Sequence, residues 1–195
     1  MAVYDYPDTL TPQRMEWRSI KAGVQSRSPI SGFADTTEFP AERFVWMLTL
    51  PDRRLAEAGE PQAYFGRISG GIDRVRMRHF KQPAPRGTMR GAPTLHASVA
   101  RGAQALQIAT AGTLKAGDLF KIAGQVFMVF QDCAPVAGVL TVPLVHRVRA
   151  ALAAGTAVVW DRPTFLAIIP APSSSISMSP GKAAGMTVEL VEVFA

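Results

Sequence analysis

Catalysis or metal binding in this chain would have to draw on three histidines, one cysteine and 15 acidic residues. His79, His96 and His146 lie far from one another and from Cys133 in sequence, whereas metal sites need ligands that cluster, and a lone histidine is ordinarily satisfied in or near a core. Cys133 sits in the turn-like stretch QDCAPVAG and reads as a small, half-buried thiol. No GxSxG elbow occurs, so a Ser-His or Cys-His pair would have to be assembled from distant parts of the chain. Gly181-Lys182 resembles the end of a phosphate-binding loop, but Ala183 replaces the metal-binding hydroxyl and Ile176 stands where the first glycine belongs. Gly66, Gly70 and Gly71 are not spaced as GxGxxG and follow a helical pattern instead of a strand, which removes the dinucleotide reading. The acidic residues lie mostly beside arginines or at loop edges, and no pair stands out as acid and base. The expectation is a protein that is no enzyme and holds no metal or cofactor.

One pattern is distinctive. Arg74, Arg76, Arg78, Lys81, Arg86 and Arg90 place six basic residues between positions 74 and 90 with no acidic one among them. Such a run can hold nucleic-acid phosphates, pair with acidic residues of a neighbouring subunit, or form a solvated strand face. Phe80 is the one aromatic residue in it, too few for stacking of single-stranded bases. Arginine in place of lysine suits bidentate pairing at a protein interface.

The elements that position these residues are mainly strands. Met15 and Trp17 alternate with Arg14, Glu16 and Arg18, and Phe44, Trp46, Leu48 and Leu50 share one face of Arg43 to Leu50. Between them SPISGFADTTEFP has the spacing of a loop or irregular strand. The spacing of Leu55, Ala56, Ala58, Ala63, Phe65 and Ile68 predicts a helix over Arg53 to Ser69, broken or kinked at Gly59-Glu60-Pro61. Ile72 to Phe80 returns to alternation, with Val75, Met77 and His79 opposite Arg74, Arg76 and Arg78.

From Pro83 the Pro/Gly/Arg connector PAPRGTMRGAP opens a segment with few charges. Ala105–Ala109, Asp118–Ile122, Val126–Phe130, Val139–Val142 and Ala157–Trp160 read as five short strands, with a tight turn at Ala123-Gly124, a spacing that favours a small barrel. A short helical turn is expected at Leu144 to Ala151. Thr164–Ile169 and Met186–Phe194 are longer strands separated by SSSISMSPGKAAG, a loop or hairpin. Val188, Leu190 and Phe194 are too apolar for a free tail and should rejoin the N-terminal sheet, which makes the middle an insertion. The predicted organisation is residues 1–92 and 163–195 as one domain and 93–162 as an inserted module.

Composition sets the class. With 48% hydrophobic residues and a net charge of +6, the chain has ample material for a core and is not intrinsically disordered. A single Cys133 rules out an internal disulfide framework. The N-terminal stretch carries Asp5, Asp8 and two prolines where an export signal needs a basic start and an apolar middle, and Pro170, Pro172 and Pro180 interrupt the longest uncharged segment. No membrane insertion and an aqueous, reducing compartment are expected.

Taken in order, EWRSIKAGVQSRSPISGFADTTEFPAERFVWMLTLP, then GRISGGIDRVRMRHF and PAPRGTMRGAP, resemble the structural tail proteins of tailed bacteriophages, within them the distal tail or baseplate class. The stretches GTLKAGDLFKIAGQVFMVF, VLTVPLVHRV and AGTAVVWDRP are similar to a small β-barrel-like module of phage structural proteins. The resemblance covers nearly the whole chain and carries no catalytic fingerprint. It implies a tail-tube-like β-sandwich with one flanking helix and an inserted small β-barrel-like module. It also implies a homo-oligomer, commonly a hexameric ring, at the distal end of the tail tube. Its neighbours would be the tail tube protein and the tail-tip hub proteins, with genomic DNA passing through the lumen. Such a protein is assembled in the host cytoplasm and resides in the virion tail. On this reading Arg74 to Arg90 contacts neighbouring subunits; the alternative is a basic β-barrel nucleic-acid-binding module.

Overall fold

Period-two patterning dominates the sequence, and in a computed structural model the chain is mainly β, with several sheets and one α-helix among the described residues. The structure describes residues 1–27, 32, 34–68, 71–80, 82–170, 178–179, 182–183 and 185–193. Lys81, Gly70, Ile176, Gly181 and Phe194, on which expectations fell, lie outside them. In chain order the elements begin with β1 (Val3–Asp5), β2 (Arg14–Arg27), β3 (Ala34–Thr49), β4 (Arg53–Arg54), a 3-10 turn (Leu55–Glu57), α1 (Gly59–Arg67) and β5 (Arg74–Arg78). They continue with β6 (Thr94–Leu95), β7 (Ala105–Ala109), β8 (Leu119–Ile122), β9 (Gln125–Met128), β10 (Val139–Pro143) and β11 (Val158–Val159). The last are β12 (Thr164–Ile168), β13 (Met178–Ser179), β14 (Lys182–Ala183) and β15 (Thr187–Glu192).

The chain divides into two compact units, Met1–Arg18 with Phe44–Pro83 and Thr164–Ala195, and Ser19–Arg43 with Ala84–Pro163. The boundary falls at 83/84, where the Pro-rich connector begins, instead of 92/93. Ser19–Arg43, assigned from sequence to the first domain, groups with the second unit. The reason is visible in its polar contacts: Ser19 Oγ lies 2.9 Å from His146 Nε2, and the Glu42 carboxylate accepts the Arg147 amide at 3.3 Å.

A six-stranded sheet in the order β1-β5-β12-β15-β3-β2 carries the first unit. The C-terminal β15 pairs antiparallel with β3, setting Val188 against Leu48 and Leu190 against Trp46, so the chain end does rejoin the N-terminal sheet. On the other side of β15, β12 pairs with β5, setting Phe165 against Met77 and Ala167 against Val75. All eight of these side chains are buried on one face, where Trp46 stacks on Phe165 at 5.1 Å between ring centroids. Tyr6, Leu10, Phe44, Leu50, Pro61 and Phe65 are among this unit's other buried apolar side chains.

The helix is shorter than the full pattern suggests, because the expected break at Gly59-Glu60-Pro61 falls at its start, with a separate 3-10 turn over Leu55–Glu57 before it. It starts at Gly59, so Pro61 occupies the first turn, where its missing N–H costs no hydrogen bond. Arg53 and Arg54, expected to be helical, instead form β4 and pair with β14. That pairing extends the hairpin made by β13 and β14 within the SSSISMSPGKAAG segment. Gly185 follows it at a point where a Cβ would come 2.1 Å from the Leu50 carbonyl oxygen, so only glycine lets the strands meet there.

The second unit holds two three-stranded sheets, β10-β7-β6 and β11-β8-β9. Leu106, Ile108, Leu140 and Val142 from the first meet Phe120, Ile122, Phe127 and Val158 from the second in one apolar cluster. The Ala123-Gly124 turn has φ of +45° and +84°, the signature of a tight hairpin turn between Ile122 and Gln125. The expected helical turn over Leu144 to Ala151 does not form. Leu144, His146 and Val148 are buried in alternation, and the Leu144 and Val148 amides donate to the Gln104 and Ala103 carbonyls. Period two was present in that segment all along.

Candidate functional site

The arginines of the basic run fall in two separate settings. Arg74, Arg76 and Arg78 lie on β5, where Val75 and Met77 alternate with them and are buried. β1 lies parallel to β5 in the register Val3 to Arg74, Tyr4 to Val75 and Asp5 to Arg76. This brings acids from the N-terminal segment onto the arginines: Arg76 pairs with Asp5 at 3.1 Å and Arg78 with Asp8 at 2.6 Å. The Arg78 guanidinium also sits over the Phe80 ring, 5.3 Å from its centroid. A cleft of about 150 Å³ opens here, lined by Asp5, Tyr6, Asp8, Arg76, Arg78 and Phe80. Its floor is firm because the Tyr6 amide donates to the Arg76 carbonyl and the Tyr6 hydroxyl to the Leu10 carbonyl. Burial pushes the Tyr6 phenol far above its usual range, so it stays protonated.

Arg86 and Arg90, in the second unit, are structural. The buried Asp118 carboxylate accepts the amides of Arg86 at 2.9 Å, Gly87 at 3.0 Å and Lys115 at 2.8 Å, and the Arg86 guanidinium approaches it to 3.5 Å. Arg86 also donates to the Ala116 carbonyl. Arg90 donates to the carbonyls of Pro85, Gly87 and Met89 and lies over Trp160 at 5.0 Å. Thr88 and Thr113 exchange backbone-to-hydroxyl hydrogen bonds at 3.1 and 3.0 Å. The connector that looked patternless in sequence is therefore stapled to the loop over 112–118. Arginine serves here because one fork can satisfy several carbonyls at once.

Sequence reasoning placed Arg76 and Arg78 on an exposed strand face but missed Asp5 and Asp8. Asp5 alternates with Tyr4 and Tyr6 in VYDYPD, but over three strand residues that is too short a pattern to mark a strand. The other titratable groups have local roles. His79 Nδ1 accepts the Gln82 amide at 2.9 Å, and burial holds its pKa below the ordinary value. His146 is buried and shares a hydrogen bond with Ser19, a pair that sequence left open. Desolvation raises the half-buried Cys133 thiol, which favours the unreactive protonated form. Lys115 and Asp132 form an exposed ion pair at 2.8 Å.

Among the described residues no three His, Cys, Asp or Glu side chains come together to hold a metal ion. A groove of about 340 Å³ along β7 is lined by small and neutral residues, among them Ala97, Val99, Ala105, Gln107 and Thr141, and offers no acid or base. Among the described residues no helix is long and apolar enough to cross a membrane. Comparison with protein-family models and with curated protein sequences finds no match for this chain.

Proposed function

We propose that this chain is a structural component of a bacteriophage tail, forming a ring at the distal end of the tail tube that joins the tube to the tail-tip hub and receptor-binding apparatus. The observation that carries the reading is the open end of the six-stranded sheet. β2 runs for 14 residues as its last strand, with Trp17, Ile20 and Val24 exposed along it. A long edge strand bearing apolar side chains is a template for pairing, and a protein that keeps one is built to have it covered by another chain.

On this reading the six-stranded sheet with α1 is a tail-tube-like β-sandwich domain, and the two small sheets of the second unit are the inserted β-barrel-like module. The subunit is a homo-oligomer in a hexameric ring, bounded by tail tube protein and tail-tip hub proteins, with genomic DNA passing through the lumen. It works by geometry, without cofactor or catalysis. The alternative, a basic nucleic-acid-binding module, draws less support. Arg76 and Arg78 already face Asp5 and Asp8, and Arg86 and Arg90 are engaged by Asp118 and backbone carbonyls.

Electron microscopy of tail particles containing the chain tests the reading, which expects a ring at the distal end of the tube. A location away from the tube end, or a chain that co-purifies with DNA and never with particles, overturns it.

A further inference from the structure

His79 follows the last residue of β5 and makes a hydrogen bond open to only one of its protonation states. Its Nδ1 accepts the amide of Gln82, three residues further on, at 2.9 Å. A backbone N–H can only donate, so Nδ1 must carry a lone pair and the neutral ring keeps its proton on Nε2. A second proton would have to sit on Nδ1 itself, which turns the acceptor into a donor facing a donor.

The ring is held where it stands. Trp46 of β3 meets it edge to face, with ring centroids 5.3 Å apart and planes at 77°, and Trp46 in turn stacks on Phe165 of β12. The charged groups of the surrounding strands are Arg78, paired with Asp8, and the buried Glu192 of β15, whose carboxylate accepts the Phe44 amide at 3.1 Å. Burial lowers the His79 pKa. Loss of the bond and burial of the charge both oppose protonation, so the ring gains its second proton only as the pH falls below 6.5.

The bond sits where the chain leaves the first unit. Phe80 is fixed by Tyr6, 5.2 Å away between ring centroids, and by the Arg78 guanidinium above it. At the far end of the link the Arg86 and Gly87 amides are fixed by Asp118. Between Gln82 and Arg86 lie only Pro83, Ala84 and Pro85, a stretch that its two prolines stiffen. Losing the His79 bond returns the Gln82 amide to solvent and takes that tie away from the start of the connector.

We propose that His79 is an acid-released latch: neutral, it ties Gln82 to the end of β5, and protonated, it lets go of the start of the Pro/Gly/Arg connector. The inference stands apart from the tail reading and neither needs it nor supports it.

NMR of the full chain tests it. At neutral pH the imidazole nitrogens of His79 should report the Nε2–H tautomer. On acidification the Gln82 amide, after correction for the intrinsic pH dependence of exchange, should lose protection by at least about threefold, with the midpoint of the His79 titration, while the amides of β5 and β12 stay protected. His79→Phe keeps an aromatic ring beside Trp46 and has no acceptor, so Gln82 should show the low protection at every pH. A ring protonated on Nδ1 at neutral pH overturns the latch, as does a Gln82 amide that stays protected through the His79 titration. So does loss of Gln82 protection only together with the amides of β5 and β12, which is global unfolding, or an H79F chain whose Gln82 protection still falls in acid. The tautomer and the titration are read on the unchanged chain and do not depend on whether H79F folds.

Discussion

Replacing Asp118 with alanine should be among the most damaging single changes in the second unit. The carboxylate is fully buried and holds three backbone donors that belong to two different segments, the 86–87 connector and the 115–118 turn. Alanine leaves those donors facing apolar surroundings, and each orphaned buried donor costs about 1–3 kcal/mol. The Arg86 amide is partly buried and its guanidinium is 61% exposed, so both recover some hydration and their share is discounted. The remaining donors give an expected loss of about 3–5 kcal/mol, in the range seen when one partner of a buried charged network is removed. Asparagine, which keeps an oxygen but turns an N–H toward one donor, should lose about half as much. Urea unfolding gives the free energy, and hydrogen exchange at the Arg86, Gly87 and Lys115 amides locates the effect. A D118A chain that loses less than about 1 kcal/mol and keeps those amides protected would refute the assignment of Asp118 as the staple.

Gly87→Ala and Gly112→Ala should each destabilise the same region by thermal melting, since an added Cβ would stand 2.1 Å from the Thr113 oxygen and 2.3 Å from the Met89 Cα. Gly66→Ala in α1, where a Cβ meets nothing within 4 Å, should instead raise stability by about 0.5–1 kcal/mol. His79 has a folded pKa below its ordinary 6.5, so the unfolded chain binds more protons; stability should fall as pH drops below 6.5, and His79→Asn should flatten that dependence in pH-resolved melts. Alanine at Arg76 or Arg78 should leave DNA retention at moderate salt unchanged, as measured by filter binding, because both already face aspartates.

Strands with strict alternation were legible in the sequence. β7 runs from Ala105 to Ala109 as expected, and β5, β12 and β15 fall within their expected ranges, because one buried face imposes period two on the residues. Misreadings arose where a local signal competed with tertiary pairing. Arg53 and Arg54 fit a helical spacing but are drawn into β4 by β14, a partner about 130 residues away along the chain. Pro61 reads as a break or a kink, and the break falls just before it, where α1 starts at Gly59. At the candidate site, the arginines of β5 were visible as an unbroken basic face. Asp5 and Asp8 were not, because a three-residue strand carries too little pattern and its parallel partner lies some 70 residues on. The structural roles of Arg86 and Arg90 were hidden for the same reason, since their acceptors are mostly backbone carbonyls that no side-chain pattern reports.

The central claim, that the chain is a ring-forming part of a phage tail, is tested most directly by mass spectrometry and electron microscopy of tailed particles purified from the source. The account predicts that the chain is present and that its density forms a six-fold ring at the distal end of the tail tube. Its absence from complete particles would contradict the account and shift attention to the basic nucleic-acid-binding alternative.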